Sequence, residues 1–355
     1  MREDDFFRQF FAQHRRGDSG KCLVVAELSA SHGQCLERAL ELIEVAHQVG
    51  ADAVKIQTYR ADTITIDSDR EEFIRRGTIW DGQRLYELYD QAHTPWEWHR
   101  ELFEHAARVG IPIFSTPFDF SAVTLLEELQ AGAYKIGSFE LVDIPLIEKV
   151  AATGKPLILS TGMATLAEIE EAVDAARRKG AKEIALLKAN SAYPSPVSQM
   201  HLRTIAHLRE TFDVVVGLSD HTIGEVVAVA AVALGAQMVE KHLCLSRKID
   251  TPDSAFAAEP EEFARMVEGI RCVEEALGSV HYGPTPEQMA SLENRRSLFV
   301  VEDVEAGEEL TPQNVRSIRP GYGLHPRYYR DVLGVRVSRR VERGTPLSWD
   351  LLWRR

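Results

Sequence analysis

The chain has 355 residues, 45% of them hydrophobic, and a formal net charge of -13 at pH 7. That length calls for one large domain with a smaller companion, and the acidic balance argues against nonspecific nucleic-acid binding, which needs basic residues to displace counterions from phosphates. No apolar run reaches the ~20 residues of a membrane helix, and the opening MREDDFFRQFFAQHRRGDSG lacks the apolar core of a secretory signal, so a cytoplasmic protein is expected.

From Cys22 onward, short β-branched runs alternate with helical patterns, the mark of βα units around a parallel sheet. Eight such runs follow in order: CLVVAEL, DAVKIQ, IPIFSTPF, AYKIGSF, PLILSTG, EIALLKAN, VVVGLSD and QMVEKHL. Between the first two, Leu36, Leu40, Ile43 and Ala46 share one helical face. Residues 60–93 interrupt the second unit and read as a long loop over the mouth of the fold. Thr94-Pro95-Trp96-Glu97 then opens a helix with capping-box chemistry, and Thr165 with Glu168 repeats the box. Glycines at 50, 110, 132, 180 and 235 precede strands, where a helix C-cap favours positive φ. Eight units without a G-x-G-x-x-G turn predict an α/β fold of the closed TIM (β/α)8 barrel type rather than an open doubly wound sheet.

Composition shifts near residue 284, dividing the chain into 1–283, the barrel with an N-terminal extension, and 284–355. The second part has short strands punctuated by Gly and Pro and is expected to be a small β-rich domain. The cysteines, Cys22, Cys35, Cys244 and Cys272, form no C-x-x-C pair and read as reduced thiols.

In such a barrel the informative residues are polar ones at the C-terminal ends of strands. They occur here on nearly every strand: Glu27, then Lys55 and Gln57, Ser115 and Thr116, and Lys135, Ser138 and Glu140. Ser160 and Thr161 come next, followed by Asn190, Ser191 and Tyr193, by Ser219, Asp220 and His221, and by Glu240, Lys241 and His242. Lys55 and Lys135 sit inside apolar runs where a desolvated ammonium needs an anion. They are candidates to hold a phosphate and a carboxylate, the alternative being structural ion pairs with Glu27 or Glu140. His221 and His242 end neighbouring strands and can share one divalent cation, against the plainer reading of hydrogen-bonded structural histidines. Asp253 is a further metal-site or supporting carboxylate, or a solvated loop acid. Tyr193 suits helix capping or loop packing equally well, Arg319 alone reads as a surface charge, and the tryptophans at 80, 96 and 98 read as packing.

The segments AELSASH, DAVKIQTY, STPFD, YKIGSFE, LSTGMAT, GLSDHT, ALGAQMVEKH and IRPGYGLHP together resemble the sialic acid synthase family. LYELY, TPWEWH, RPGYGLHPRYY and GTPLSWDLL point to its pseudaminic branch. The resemblance implies a TIM barrel followed by an antifreeze-like (SAF) domain, in a homodimer whose small domains serve the partner's active site. It implies a transferase condensing two small molecules, phosphoenolpyruvate and an amino-sugar aldehyde, which in that branch is 2,4-diacetamido-2,4,6-trideoxy-L-altrose. A divalent metal follows with it, Mn2+ first and Mg2+ or Co2+ as alternatives, held by His221 and His242. Lys55, Thr116, Lys135, Ser138, Ser191 and Ser219 match positions around phosphoenolpyruvate, and Glu27, Glu140, Tyr193, Asp253 and Arg319 match positions around the sugar. Gln57 and Asn190 are taken as substrate-facing from their strand-end places. The chain departs from the family in carrying Ala189-Asn190 where a Cys-Thr pair is usual. The rival expectations are the same chemistry on the N-acetylneuraminate or legionaminate precursor sugars, a Schiff-base aldolase using a strand lysine, and a non-enzymatic scaffold docking through its small domain.

Overall fold

The computed structural model describes residues 3–15 and 20–353; of the N-terminal extension, residues 1, 2 and 16–19 lie outside it. The chain divides into two compact units, Met1–Gly278 and Ser279–Arg355. The first is a closed barrel of eight parallel strands: β1 (Leu23–Glu27), β2 (Ala53–Thr58), β3 (Ile113–Pro117), β4 (Tyr134–Ile136), β5 (Leu157–Ser160), β6 (Ile184–Ala189), β7 (Val215–Asp220) and β8 (Met238–His242). Each expected run holds one strand, and β8 closes on β1 with Leu23 opposite Met238 and Glu27 opposite His242.

Side chains alternate across a strand, and this alternation sorts the barrel into two cores. Val24, Ala26, Val54, Ile56 and Val239 face the surrounding helices and pack with them in one cluster. Leu23, Val25, Ala53, Phe114, Ile158, Val215 and Met238 have the opposite parity and meet inside the barrel at the N-terminal ends of the strands. There they join Phe7, Phe10 and Phe11 of the helix Glu3–Arg15, which therefore plugs the barrel floor. Phe7 and Phe11 are fully buried, and the Phe7 ring meets Phe114 edge-on at 5.1 Å. Arg8 fastens the helix from outside, donating to the Gly154 carbonyl at 2.9 Å.

Local chemistry differs from expectation at three places. The box at Thr165 forms, with Thr165 and Glu168 bonding reciprocally at the start of Leu166–Arg178. The one at Thr94 does not: a 3-10 turn, Trp96–Trp98, intervenes before the helix His99–Val109, and the Thr94 hydroxyl turns instead to His32 Nε2 at 3.4 Å. Glycines 50, 110, 180 and 235 have positive φ, but before β4 that conformation falls on Gln130 (φ 60) rather than Gly132. Residues 60–93 are also more ordered than a loop, since they carry the helices Ala61–Ile64 and Leu85–Ala92.

The second unit has its own apolar core, built around Leu298, Val300, Val304, Leu310, Val337 and Leu347. Its sheet pairs β9 (Ser297–Val300) antiparallel with β10 (Val315–Ile318), and isolated bridges knit the remaining chain. No helix among the described residues is long and apolar enough to cross a membrane.

Candidate active site

The inward parity that gives apolar residues at the barrel floor gives polar ones at its mouth. On β2 the series is Ala53, Lys55, Gln57; on β7 it is Val215, Gly217, Ser219 and then His221; on β8 it is Met238, Glu240, His242. The polar members, Lys55, Gln57, Ser219, His221, Glu240 and His242, open into one cavity of about 350 Å³ at the C-terminal ends of the strands. Of the expected residues, Lys55, Gln57, Thr116, Lys135, Ser138 and Glu140 line it from one side. Tyr193, Ser219, His221, His242 and Asp253 line it from the other.

At the base of the cavity the two lysines are already paired. Lys55 Nζ binds Glu27 Oε2 in a short contact, donates to Thr116 Oγ1 at 3.0 Å and lies 3.4 Å from Glu240 Oε1. Lys135 Nζ bonds both Glu240 oxygens, at 2.8 and 2.7 Å, and Ser219 adds a hydrogen bond to Oε1 at 3.2 Å. Two ammonium groups and two carboxylates thus form a neutral buried quartet. Ion pairs with glutamates do form, as the alternative reading allowed, but the second partner is Glu240 and not Glu140. Burial raises the pKa of the Glu240 carboxyl, yet Lys135 and Lys55 outweigh it and hold the group down at about 2. Burial takes Lys135 down to about 8, with Glu240 resisting and Lys55 adding to the fall.

Glu27 does not line the cavity; it lies behind Lys55, accepting from Ser29 N–H at 2.9 Å and from Gln57 at 3.4 Å. Glu140 does line it, and its Oε2 is buried with no partner among the described residues. Burial pushes its pKa up to about 7, Asp143 adding to the rise while its own backbone hydrogen bond and the lysines oppose it. Glu140 is therefore poised to exchange a proton near neutrality.

The imidazoles of His221 and His242 stand with ring centroids 5.4 Å apart. His221 Nδ1 lies 2.8 Å from the Asn190 carbonyl, an acceptor only, so Nδ1 carries the hydrogen and Nε2 keeps its lone pair. His242 Nδ1 faces Asp253 Oδ2 at 3.4 Å. Burial lowers the His221 pKa to about 3, with His242 adding to the fall, so the ring is neutral. Two imidazoles at neighbouring strand ends, with His221 neutral and its Nε2 free, could hold a divalent ion of the first transition row. Among the described residues no three His, Cys, Asp or Glu side chains form a group that could hold a metal ion. Asp253 is fixed by the Ala30 N–H at 3.0 Å, and its pKa lies below the usual range because hydrogen bonds and the His242 ring outweigh burial.

Asn190 acts through its backbone, while its side chain reaches the Gln199 carbonyl and the Ala192 N–H. Ser191 stands behind Ser138 at Gly162: a Cβ on that glycine would fall 2.3 Å from Ser191 Oγ and 2.7 Å from Ser138 Oγ. Only glycine lets the ends of β4, β5 and β6 converge there. Arg319 is exposed and belongs to the second unit, directly after β10.

Glu240, named only as one of the strand-end polar residues, proves to be the counterion of both lysines, and Tyr59, Phe256 and Arg75, which pattern reading passed over, also line the cavity. The parity rule finds Glu240, two residues before His242 on the same inward face. Trp80, read as packing, packs and lines the cavity at once: its indole donates to the Pro252 carbonyl at 3.2 Å, and its ring lies 5.9 Å from Tyr193.

The NeuB family model matches residues 42–282, and the SAF domain model matches 295–352. The chain is 46% identical over 331 residues to the pseudaminic acid synthase of Helicobacter pylori, covering 92% of this chain and 96% of that protein. It is 43% identical over the same length to the pseudaminic acid synthase of Campylobacter jejuni, with the same coverage. The crystal structure of N-acetylneuraminic acid synthetase from Leptospira borgpetersenii superposes with a TM-score of 0.69 at 29% identity, covering 78% of this chain and 92% of that one. With the family model spanning more than half of its length and such relatives matching nearly end to end, the chain belongs to the NeuB family and carries a SAF domain near its C-terminus.

Proposed function

We propose that this protein condenses phosphoenolpyruvate with 2,4-diacetamido-2,4,6-trideoxy-L-altrose and water, giving pseudaminic acid and inorganic phosphate. The observation that carries the reading is the meeting, in one cavity, of the Lys55–Lys135 pair with the oriented imidazoles of His221 and His242. The names of the relatives support the choice of sugar.

Lys55, Lys135 and Thr116 offer donors at one level of the barrel, where they can hold the two anionic ends of phosphoenolpyruvate. Held so, its C3 carbon is aimed at the aldehyde, and position supplies a large part of the rate. A divalent ion on His221 and His242, Mn2+ first and Mg2+ or Co2+ as alternatives, would polarise the aldehyde oxygen as a Lewis acid. A C–C bond forms between C3 and the aldehyde carbon, water adds at C2, and phosphate departs with its bridging oxygen by C–O cleavage. Glu140, ionised, takes one proton of that water and returns it to the former aldehyde oxygen, which becomes a hydroxyl, while the second proton leaves with the phosphate. Tyr193, Asp253 and Gln57 face the sugar.

The reading extends to a homodimer in which the SAF domain of one copy, through Arg319, serves the partner's cavity. Its support is the rim itself: Phe139, Val142, Met163 and Ile223 are exposed on the loops that follow β4, β5 and β7, and Phe120 and Val226 are exposed at the starts of the helices that follow β3 and β7. Apolar side chains gathered around a mouth need a cover. A cytoplasmic setting fits the four free cysteines. The Schiff-base alternative is weaker because both Nζ atoms are committed to carboxylates.

The test is mass spectrometry of the product from phosphoenolpyruvate and the diacetamido altrose, with phosphate release measured in parallel. N-acetylmannosamine and the legionaminate precursor sugar serve as competitors. Faster turnover of either competitor would move the assignment to that branch; a borohydride-trapped lysine adduct would overturn the chemistry.

A further inference from the structure

We propose that Arg75 recognises an acylamino group of the sugar and so sets which sugar is accepted, an inference that rests on the synthase reading above. Arg75 stands on a paired turn over the mouth. Ile74 bridges Arg84 in antiparallel fashion, Arg75 N–H donates to the Gln83 carbonyl at 2.9 Å, and Gly82 N–H donates back to the Arg75 carbonyl at 2.8 Å. At its tip the turn is pinned by Trp80, bonded to the Pro252 carbonyl on the far side of the cavity. The guanidinium is thereby carried on a fastened strut, not on a loose loop.

Arg75 lines the same cavity as Lys55 and His221, and its Nε is out of solvent with no acceptor among the described residues. The lysines of the cavity are already paired: Lys55 with Glu27 and Glu240, Lys135 with Glu240. A buried N–H without an acceptor is rare in a folded protein unless a ligand completes it. The cavity that Arg75 lines also has an apolar wall, formed by Ile64, Leu88 and Ala92 and by the rings of Tyr59, Tyr89 and Phe118.

One cationic donor set in an apolar wall selects among ligand groups. A phosphate or carboxylate would lose its hydration against that wall, and the strand-level lysines with Thr116 serve it better. A hydroxyl would leave the wall unused. An acylamino group satisfies both, its carbonyl oxygen accepting from Nε–H while its methyl packs on the rings.

The test varies the sugar and phosphoenolpyruvate separately in steady-state phosphate release by wild type, Arg75→Met and Arg75→Lys. For Arg75→Met, KM for the diacetamido sugar should rise about 10- to 100-fold, the size expected for losing a charged hydrogen bond, with KM for phosphoenolpyruvate within about twofold. Arg75→Lys should recover part of that loss. An analogue lacking one acyl group should show no further penalty on Arg75→Met when the missing group is the one recognised. A rise confined to phosphoenolpyruvate, or an equal rise for every sugar analogue, would overturn the assignment, as would unchanged constants. If Arg75→Met does not fold, Arg75→Lys carries the test through the same sugar-only shift. Wild type releasing no phosphate with any acylated sugar is the separate result that removes the synthase reading itself.

Discussion

Truncating Phe7 to alanine separates what holds the barrel together from what makes it work. The ring is fully buried in the floor cluster, edge-on to Phe114, with Leu23, Val25, Ile158 and Met238 in the same cluster. A large-to-small change at such a site costs about 3–5 kcal/mol, the transfer term plus a cavity that rigid strand ends fill poorly. For a unit of this size that is a fall of roughly 10 °C in Tm. The cavity opened lies at the N-terminal end of the strands, and the reacting groups lie at the C-terminal end. Phosphate release well below the melting temperature should therefore keep its KM values and most of its kcat. Urea unfolding followed by circular dichroism, run beside the assay, checks both halves. A loss under about 1 kcal/mol would refute the plug, and a selective change in KM would refute the separation of floor from mouth.

Glu140→Gln should lower kcat about 10²- to 10⁴-fold and erase the limb that rises through about pH 7, where the wild-type carboxyl ionises; an unchanged profile would exclude the proton role. The same group makes a stability statement: its folded pKa is raised, so the folded chain holds the extra proton between the unfolded value and about 7. Stability from this group is full below the unfolded pKa and lost as pH rises through 7, and Glu140→Gln should melt higher than wild type at pH 8 but not at pH 4. His221→Ala and His242→Ala should each abolish metal-dependent phosphate release and weaken Mn2+ binding in calorimetry; near-normal turnover by either would remove the metal from the proposal. Lys241→Met breaks the outward-facing pair in which Nζ meets Asp220 Oδ2 at 2.7 Å and the Thr222 carbonyl at 2.6 Å. It should destabilise by about 3–5 kcal/mol in thermal melts, and Asp220→Leu with Lys241→Met should recover most of that loss.

The barrel was legible because its strands alternate and its helices punctuate them, both local signals. The residues of the mouth were legible for the same reason, as polar groups in inward positions of otherwise apolar runs. What stayed hidden depended on distant partners. Nothing near Lys135 in sequence announces that its carboxylate comes from β8, because only barrel closure brings Glu240 across to it. Arg75 sits in a stretch rich in Asp, Arg and Tyr, and only the pairing of Ile74 with Arg84 distinguishes it from its exposed neighbour Arg76. Thr94 shows the converse failure: a sound local motif gave way because His32 competes for the same hydroxyl. The N-terminal helix was missed altogether, since its four phenylalanines make sense only against a barrel floor assembled from strands far apart in sequence.

The neutral quartet explains how a net-negative protein can keep two ammonium groups buried and still use them. Lys55 and Lys135 without counterions would lose their protons to escape the cost of burial, and a neutral amine is a poor anchor for an anion. Glu27 and Glu240 keep them charged while the cavity waits. Both carboxylates are themselves supported from behind, Glu27 by the Ser29 N–H and Gln57, Glu240 by Ser219, so neither must collapse when an ammonium turns toward a ligand. The arriving anion then exchanges into a prepared geometry and need not create one. Because the quartet carries no net charge, the added negative charge has to be met from elsewhere in the cavity. On the proposed reading, a divalent cation held by His221 and His242 would help to meet it, and Arg75 lines the same cavity.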